Sequence, residues 1–173
     1  MGVKPLFEKF HYLKSISKGC PDVYELINAE TGEILGACQI GIPASRHYDM
    51  RRYKEIRRFV LVPGAPKNLA SWFLSRCLKD IKSKYRNIES VIAFSDPAQG
   101  HEGTIYKASN FLFTGQGKPG QIVKVGRKKL HARTVFNKCK GGQVRRKALV
   151  SAIQAVGYKW VKTPGKYRFE YVF

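Results

Sequence analysis

The stretch from Ser90 to Thr114, SVIAFSDPAQGHEGTIYKASNFLFT, contains the polar side chains best suited to chemistry. Asp96 follows a short β-branched and aromatic run, Ser90–Phe94, which is typical of a buried strand. Pro97 ends this run, because proline cannot continue a central ladder. Ligands of open α/β sheets bind outside the strand ends. Asp96 is therefore predicted to be the centre of a site, as a general base or as an anchor for an amine.

Three further polar residues surround Asp96 in the sequence. Ser95 is a candidate donor to a substrate oxygen, with a simple turn residue as the alternative. Tyr106 is predicted to be a general acid or a wall on which a base stacks, with a core aromatic as the alternative. His101 precedes a predicted short helix, Thr104–Phe111, at whose start an oxyanion would be stabilised, although a lone loop histidine is more often only solvated. For Asp96 itself, the alternative is a carboxylate that caps the following turn.

A second candidate site lies at the start of the clearest helix, Asn68–Lys84. Pro63–Lys67 breaks the strand predicted at Glu55–Val62 and leads into this helix. The unpaired N–H groups and the dipole of a helix start favour an anion. We therefore predict that Lys67 and Asn68 hold a phosphate, and that Asn68 caps the helix. An ordinary strand-to-helix turn is the alternative, since the turn is neither a Walker loop nor G-x-G-x-x-G.

The fold class predicted from these elements is α/β, with a mixed central sheet and helices on its faces. The chain of 173 residues is predicted to be a single catalytic domain, 1–173, in which 116–173 is a basic β/α extension. The other predicted elements are a lead-in at 1–18, strands at 23–29, 34–42, 121–125, 134–136 and 167–173, a loop at 43–53, and a helix at 143–156.

Charge is the most unusual property of the chain. It has 32 Lys+Arg and 12 Asp+Glu, a net charge of +20, and no acidic residue between Gly103 and Phe169. So long a one-signed segment predicts a polyanionic partner, here a nucleic acid, because solubility alone does not require it. A solvated basic surface is the alternative. The side chains predicted to contact the nucleic acid are Arg127, Lys128, Lys129, His131, Arg133, Lys138, Lys140, Arg145 and Arg146.

Composition disfavours several other classes of protein. The 4 cysteines are widely spaced without a C-x-x-C pair, which argues against a zinc ribbon or a redox motif. No apolar run approaches the roughly 20 residues of a membrane span, and the N-terminus lacks a signal-peptide hydrophobic region. A reduced, cytoplasmic protein without membrane association is predicted. No metal is predicted, because no His and carboxylate pair has ligand spacing on one element.

The order of these elements resembles the GNAT acyltransferase superfamily. The shared features are a strand, a phosphate-binding turn and a long helix, then a strand and a short helix with Tyr-x-x-x-x-Phe, here Tyr106 to Phe111. In that superfamily the turn holds the pyrophosphate of coenzyme A. The usual Gln/Arg-x-x-Gly-x-Gly/Ala motif is replaced here by Gly64–Asn68.

A closer resemblance is to the phage Mom DNA-modification family, from about His11 onward. Its matching stretches are APKNLAS (Ala65–Ser71), SDPAQGHEGTIYKASNFLFTG (Ser95–Gly115), HART (His131–Thr134) and the closing KYRFEYVF. The resemblance implies an enzyme that transfers a carbamoylmethyl (glycinamide-like) or acyl group to the exocyclic amine of adenine in double-stranded DNA. Such a modification protects phage DNA from restriction in the cytoplasm of the infected host. The donor-binding residues then implied are Ala65, Pro66, Lys67, Asn68, Ser71, Thr104 and Asn110.

The resemblance leaves the group donor open. A coenzyme A thioester, a charged tRNA and a glycine-derived metabolite are all compatible with it, and a basic surface suits tRNA as well as DNA. Some members of the family are linked to iron, which the spacing of this sequence does not indicate. Two other functions remain as alternatives: a GNAT-type N-acetyltransferase acting on another amine, and a non-catalytic basic DNA-binding protein. A coating protein has no use for the SDP block, and acyl-donor binding does not require a charge of +20. The oligomeric state is not predicted.

Overall fold

The computed structural model describes residues 2–125, 128–131, 148, 150–151, 154–155 and 159–173. These form two compact units, one of Met1–Gly115 with Tyr167–Phe173, and one of Gln116–Lys166. The helices include α1 (Lys4–Phe10), α2 (Leu69–Lys84) and α3 (Thr104–Ala108). The strands are β1 (Asp22–Ile27), β2 (Ile34–Gly41), β3 (Tyr53–Leu61), β4 (Ser90–Ser95), β5 (Leu112–Gln116), β6 (Gly120–Val125), β7 (Lys128–His131), β8 (Lys159–Thr163) and β9 (Tyr167–Val172).

The described strands of the first unit form a six-stranded mixed sheet in the order β1-β2-β3-β4-β9-β5. β1, β2 and β3 are antiparallel neighbours, whereas β3 and β4 are parallel. A parallel pair needs a crossover connection, and α2 supplies it. The C-terminal strand β9 pairs antiparallel with β4. The predicted mixed sheet with flanking helices is therefore confirmed, and its last strand is contributed by the C-terminal end of the chain.

The parallel strands β3 and β4 separate toward their carboxyl ends. They pair where Tyr53–Ile56 lies beside Ser90–Ala93. From Arg57 onward β3 leaves β4 but keeps β2 as its partner as far as Leu61. The separation opens a cleft between the two strands, at the edge of the sheet where Asp96 follows β4.

The core lies between α2 and the sheet. Residues at spacings of three and four give α2 an apolar stripe, which packs against β2, β3 and β4. The buried members of this stripe are Phe73, Leu74, Cys77, Leu78 and Ile81. Among the described residues, no helix combines the length and the apolar character that a bilayer span needs.

The N-terminal segment predicted as a lead-in contains the helix α1, which the sequence analysis did not predict. Phe7 of this helix is fully buried against Ala37 and Val60, in a small core on the outer part of the sheet. Pro5 occupies the first turn of α1, where its missing N–H has no cost. The helix therefore has a fixed position, and it directs the next residues, His11 and Tyr12, toward the cleft.

The segment after Asp96 also differs from the prediction. The helix predicted at 104–111 ends at Ala108, because Asn110 has a φ of 63° and cannot continue it. Leu112–Gln116 then forms β5 instead of extending the apolar face of the helix. The remaining strands and α2 of the first unit lie within two residues of their predicted ends.

The second unit contains a three-stranded antiparallel sheet in the order β7-β6-β8, among its described residues. β6 was predicted as a strand, whereas β8 was not. Lys128 and Lys129, which were predicted to lie in a basic turn, belong to β7 instead, where Lys128 pairs with Val125 of β6. The strand predicted at 134–136 lies outside the described residues. Of the helix predicted at 143–156, the described residues are helical: Ala148, Val150, Ser151, Gln154 and Ala155.

Candidate active site

The cleft between the carboxyl ends of β3 and β4 is the leading candidate site. Its volume is about 480 Å³, within the range of ligand pockets. Its walls come from β3, from the segment after β4, from α3 and from the residues that follow α1. All four predicted catalytic residues line it: Ser95, Asp96, His101 and Tyr106. The structure thus brings these side chains together, while their catalytic roles stay predictions.

Asp96 both caps a turn and lines the cleft. Its Oδ1 accepts a hydrogen bond from the backbone N–H of Ala98 at 3.1 Å, which caps the 3₁₀ turn Pro97–Gln99. Its backbone carbonyl accepts from the N–H groups of Gln99 and His101. No hydrogen bond from a described residue reaches Oδ2. The cap therefore orients the carboxylate and leaves its second oxygen available to a ligand.

Ser95 is a buried hydroxyl that lacks a partner. Its side chain is 5% exposed, and its Oγ makes no hydrogen bond with any described residue. An unpaired buried hydroxyl costs about 1–3 kcal/mol, so each such group requires an explanation. Because Ser95 lines the cleft, a bound ligand that exchanges a hydrogen bond with Oγ would supply one.

Tyr106 belongs mostly to the core. It is 8% exposed, and its ring centroid lies 5.4 Å from those of Phe111 and Phe169. Burial raises the pKa of its phenol well above the usual value. Tyr106 is therefore protonated at neutral pH, so that it can donate a proton or a hydrogen bond but cannot act as a base.

The position of α3 depends on a glycine at its N-terminus. Gly103 has a φ of +72°, which disfavours any residue with a Cβ. A Cβ there would also overlap the ring of Phe169 on β9. Gly103 thus allows α3 to begin directly above the sheet, next to Ser95 and Asp96, and to direct Tyr106 toward the cleft.

Sequence reasoning missed the wall that the N-terminal segment contributes. The Tyr12 ring stacks on His11 with centroids 4.7 Å apart and contacts His101 at 5.5 Å. Burial raises the pKa of Tyr12, the charge of Asp96 raises it further, and the charge of Arg58 opposes both effects. The sequence did contain a signal for the helix that positions this wall. A proline at the first turn and apolar residues at helical spacing before His11 indicate a short helix.

Arg58 is the second cleft residue that sequence reasoning missed. Its Nε donates to the carbonyl of Ser15 at 3.2 Å, and its Nη1 donates to that of Arg57 at 2.7 Å. Burial lowers the pKa of its guanidinium, and no described carboxylate forms an ion pair with it. An arginine held by carbonyls beside a cleft is suited to an anionic ligand. The signal was the Arg57-Arg58 pair directly before the apolar end of the strand, Phe59–Leu61.

The turn before α2 is built differently from the prediction. Gly64 and Asn68 both adopt left-handed backbone angles, with φ values of 82° and 67°. Asn68 makes no side-chain cap, so that prediction is wrong. Instead, the Ser71 hydroxyl donates to the Asn68 carbonyl at 3.0 Å. Because no side chain caps the first N–H groups of α2, this helix start keeps its capacity for an anion.

The predicted donor-binding residues separate into groups. Asn68, Ser71 and Asn110 line a second cleft of about 510 Å³ between α2, α3 and the end of β9. Ser109 also lines it, and its buried Oγ has no described partner. Thr104 lines the main cleft instead. The remaining three, Ala65, Pro66 and Lys67, belong to the turn and line neither of these two clefts.

The predicted nucleic-acid contacts fall in the second unit. Lys128, Lys129 and His131 lie on β7. The others lie outside the described residues: Arg127, Arg133, Lys138, Lys140, Arg145 and Arg146. Their contact with nucleic acid therefore stays a prediction. As for metals, the described residues contain no group of three or more His, Cys, Asp or Glu that could hold an ion.

A sequence model of the Mom protein family matches residues 3–173. The chain belongs to the Mom family. The methylcarbamoylase Mom of Escherichia phage Mu is 40% identical to it over 67 residues, which cover 39% of this chain and 28% of the phage Mu protein. The resemblance identified from the APKNLAS and SDPAQGHEGT stretches is thereby confirmed.

The fold of this Mom-family protein is that of the GNAT acetyltransferases. A GNAT-family acetyltransferase from Bacillus anthracis superposes with a TM-score of 0.50 and 12% identity, over 87% of this chain and 65% of that one. A protein assigned as a phosphinothricin N-acetyltransferase superposes with a TM-score of 0.51 and 13% identity, over 91% and 73% of the two chains. The alignments thus span less than two thirds of the phage Mu and Bacillus anthracis proteins. At these identities, the superpositions establish the fold alone.

Proposed function

We propose that this protein transfers a carbamoylmethyl (glycinamide-like) or acyl group to the exocyclic amine of adenine in DNA, and so protects phage DNA from restriction. Membership of the Mom family and the GNAT fold support a phage DNA-modifying transferase. The name methylcarbamoylase of the phage Mu relative supports a small carbonyl-containing group as the one transferred. The observation that carries the proposal is the polar set in the cleft where β3 and β4 part. It consists of the unpaired hydroxyl of Ser95, the Oδ2 atom of Asp96, and Arg58, which forms no ion pair with a described carboxylate.

The reaction we propose uses Asp96 as the base for the amine. Oδ2 of Asp96 accepts a hydrogen bond from the adenine N–H and takes the proton as the new bond forms between nitrogen and the electrophilic carbon of the donor. The bond from that carbon to the leaving group breaks, and the leaving group departs with its electron pair. Ser95 Oγ donates to the carbonyl oxygen of the transferred group, which orients it. Tyr106, held in its protonated form, supplies a further donor on the floor of the cleft.

A coenzyme A thioester is the donor that we favour for acyl transfer. From Arg57 to Leu61, β3 no longer has β4 beside it, so an extended chain can lie along this strand. The uncapped start of α2 and the Arg58 guanidinium are suited to phosphates. When bound, a thioester would supply an activated carbonyl carbon with a thiolate leaving group, which suits transfer of an acyl group. Transfer of a carbamoylmethyl group would instead need a donor whose methylene carbon carries the leaving group. A charged tRNA and a glycine-derived metabolite remain the alternatives, and each would be tested as donor with the purified protein.

The basic second unit supports DNA as the partner. The sequence from 116 to 166 has 14 Lys and Arg and no acidic residue. Each phosphate contact releases counterions and contributes about −0.9 to the slope of log affinity against log salt. If about six of these side chains contact phosphates, the slope would be near −5. Replacing Arg127, Lys128 and Lys129 by Ala would then flatten it by roughly 2 to 3. Arg133→Ala is expected to reduce modification more than binding if Arg133 serves the extruded adenine, which is the role that we propose for it.

Mass spectrometry of nucleosides from bacteria that express the protein tests the proposed function. We expect a deoxyadenosine of increased mass, absent from cells that express Asp96→Asn at the same level. Unmodified DNA together with acetylation of a small amine or protein would instead identify an N-acetyltransferase. Unmodified DNA with steeply salt-dependent binding, and no acylation, would identify a DNA-coating protein.

A further inference from the structure

The segment after α1 forms a rigid aromatic wall at the mouth of the main cleft. Phe7 anchors it in the small core of α1, and the His11 ring contacts Phe7 edge-on with centroids 6.0 Å apart. Nδ1 of His11 accepts the backbone N–H of Leu13 at 3.1 Å, which holds the buried imidazole in one orientation. Tyr12 stacks on this imidazole, so its ring is supported from behind.

Tyr12 differs from the other tyrosine of the cleft in its exposure. It is 39% exposed, whereas Tyr106 is packed among core aromatics. His101 contacts the Tyr12 ring from the opposite lip of the cleft, but it is tilted by 41° and leaves part of the ring uncovered. Because the exposed ring is already held in one orientation, a ligand that binds to it does not have to restrict its side-chain motion, which would otherwise cost entropy. Such a ring is suited to a flat ligand.

The position of the ring relative to Asp96 indicates which flat ligand. The charge of Asp96 acts on the Tyr12 phenol, and the two side chains line the same cleft. A flat ligand stacked on Tyr12 would therefore share the cleft with the Asp96 carboxylate. A base that is stacked inside a duplex cannot reach a cleft of this kind, and enzymes that act on bases extrude them onto aromatic side chains.

We propose that Tyr12, supported by His11 and faced by His101, is the stacking platform for an unstacked purine base whose amino edge faces Asp96. This inference rests on the proposed function, and it adds a binding role for a segment to which the sequence assigned none. The platform recognises the base by its face, and the basic second unit is not needed for that recognition. Tyr12 is therefore expected to determine how strongly the protein prefers DNA that carries an unpaired base over DNA that lacks it. The affinity that comes from phosphate contacts should not depend on Tyr12.

Two DNA duplexes measure this discrimination without any donor. One carries an unpaired adenine opposite an abasic position, and the other carries abasic positions in both strands at that site. The wild-type protein is expected to prefer the first duplex. Tyr12→Leu should reduce this preference by about 10- to 100-fold, in line with the energy of stacking one base. Tyr12→Phe should retain it, and His101→Ala should weaken it less than Tyr12→Leu does.

Tyr48→Leu is a matched control, since Tyr48 contacts Tyr53 and does not line the cleft. Thermal unfolding of each variant shows whether the fold is kept, and Tyr12→Phe with His101→Ala tests the platform even if Tyr12→Leu unfolds.

Wild-type preference in Tyr12→Leu would overturn the platform. Equal losses of preference in Tyr12→Leu and Tyr12→Phe would also overturn it, because they would assign the effect to the hydroxyl. Unmodified nucleosides with a Tyr12-dependent preference would overturn the proposed transfer but support the platform. Modified nucleosides without any Tyr12-dependent preference for the unpaired adenine would support the proposed transfer but overturn the platform.

Discussion

Two clusters of polar side chains, each with buried members, lie at opposite ends of β3 and β4, and they differ in whether their polar groups have partners. At the amino end, Asp22 forms ion pairs with Lys54 at 3.8 Å and with Lys84 at 3.9 Å. Tyr85 donates its hydroxyl to the same carboxylate at 3.1 Å, and Lys54 Nζ lies 3.6 Å from the centroid of the Tyr85 ring. Every charge buried at this end therefore has a partner of opposite sign.

At the carboxyl end of the same strands, the polar groups are not matched. Among the described residues, Ser95 Oγ has no hydrogen-bond partner, Asp96 accepts a side-chain hydrogen bond at one of its two oxygens, and Arg58 forms no ion pair. Burial of polar groups is thus common to both ends, and it does not identify the site by itself. What identifies the site is the lack of hydrogen-bond partners at the carboxyl end. A buried polar group without a partner costs free energy, and a bound ligand can remove that cost.

The largest effect is expected from Asp96→Asn. The amide keeps the oxygen that caps the Pro97–Gln99 turn, so the fold should be retained, while the base is lost. Loss of a general base costs about 10²- to 10⁴-fold in rate. The matched control is Asp80→Asn, which removes a carboxylate paired with Lys84 at the other end of the sheet. The rate of formation of the modified nucleoside measures both, and equal rates in the two variants would remove Asp96 from the mechanism.

Lys54→Met should have the largest effect on stability. It leaves the buried Asp22 carboxylate without its closest cation, and breaking a buried pair costs about 3–5 kcal/mol. Because Lys84 and Tyr85 still contact Asp22, the loss is expected at the lower end of that range. Urea unfolding measures it, and the double variant with Asp22→Asn should recover most of the stability. An unchanged unfolding midpoint in Lys54→Met would show that this cluster is not a matched structural unit.

Gly103→Ala tests the support of the cleft. The substitution adds both a disfavoured φ and an overlap with Phe169, for a combined cost of about 1–3 kcal/mol. Gly100→Ala is the matched control, because Gly100 has a similar φ of +75° and nothing within 4 Å of the added carbon. The difference between the two unfolding free energies isolates the overlap. Equal free energies of unfolding in the two variants would mean that the Phe169 ring moves aside without a measurable cost.

The smallest effect on stability is expected from Ser95→Ala. Removal of an unpaired hydroxyl should change the free energy of unfolding by no more than about 0.5 kcal/mol, and it removes a buried polar group that the fold does not satisfy. The rate of modification should nevertheless fall. Ser109→Ala, which removes another buried hydroxyl without a described partner, is the matched control for stability. A marked loss of stability in Ser95→Ala would show that its hydroxyl has a structural partner after all.

Local patterns were sufficient for most of the elements and for the centre of the site. The strands β1 to β4 and the helix α2 could be predicted, because alternation and helical spacing are properties of neighbouring residues. The position of Asp96 at a strand end followed from Pro97, which must terminate the strand. The short helix after Gly103 was overestimated, since the left-handed backbone of Asn110 leaves no trace in the apolar spacing.

The sequence by itself determined the central sheet with its flanking helix, the carboxylate at the end of β4, and the one-signed charge from 116 to 166. The tertiary structure alone decided which distant segments meet at that carboxylate. It inserted β9 beside β4, separated β3 from β4 so that Arg58 faces a cleft, and brought Tyr12 to the mouth of that cleft. These outcomes depend on strand register and on packing between segments far apart in the chain, which no local periodicity encodes.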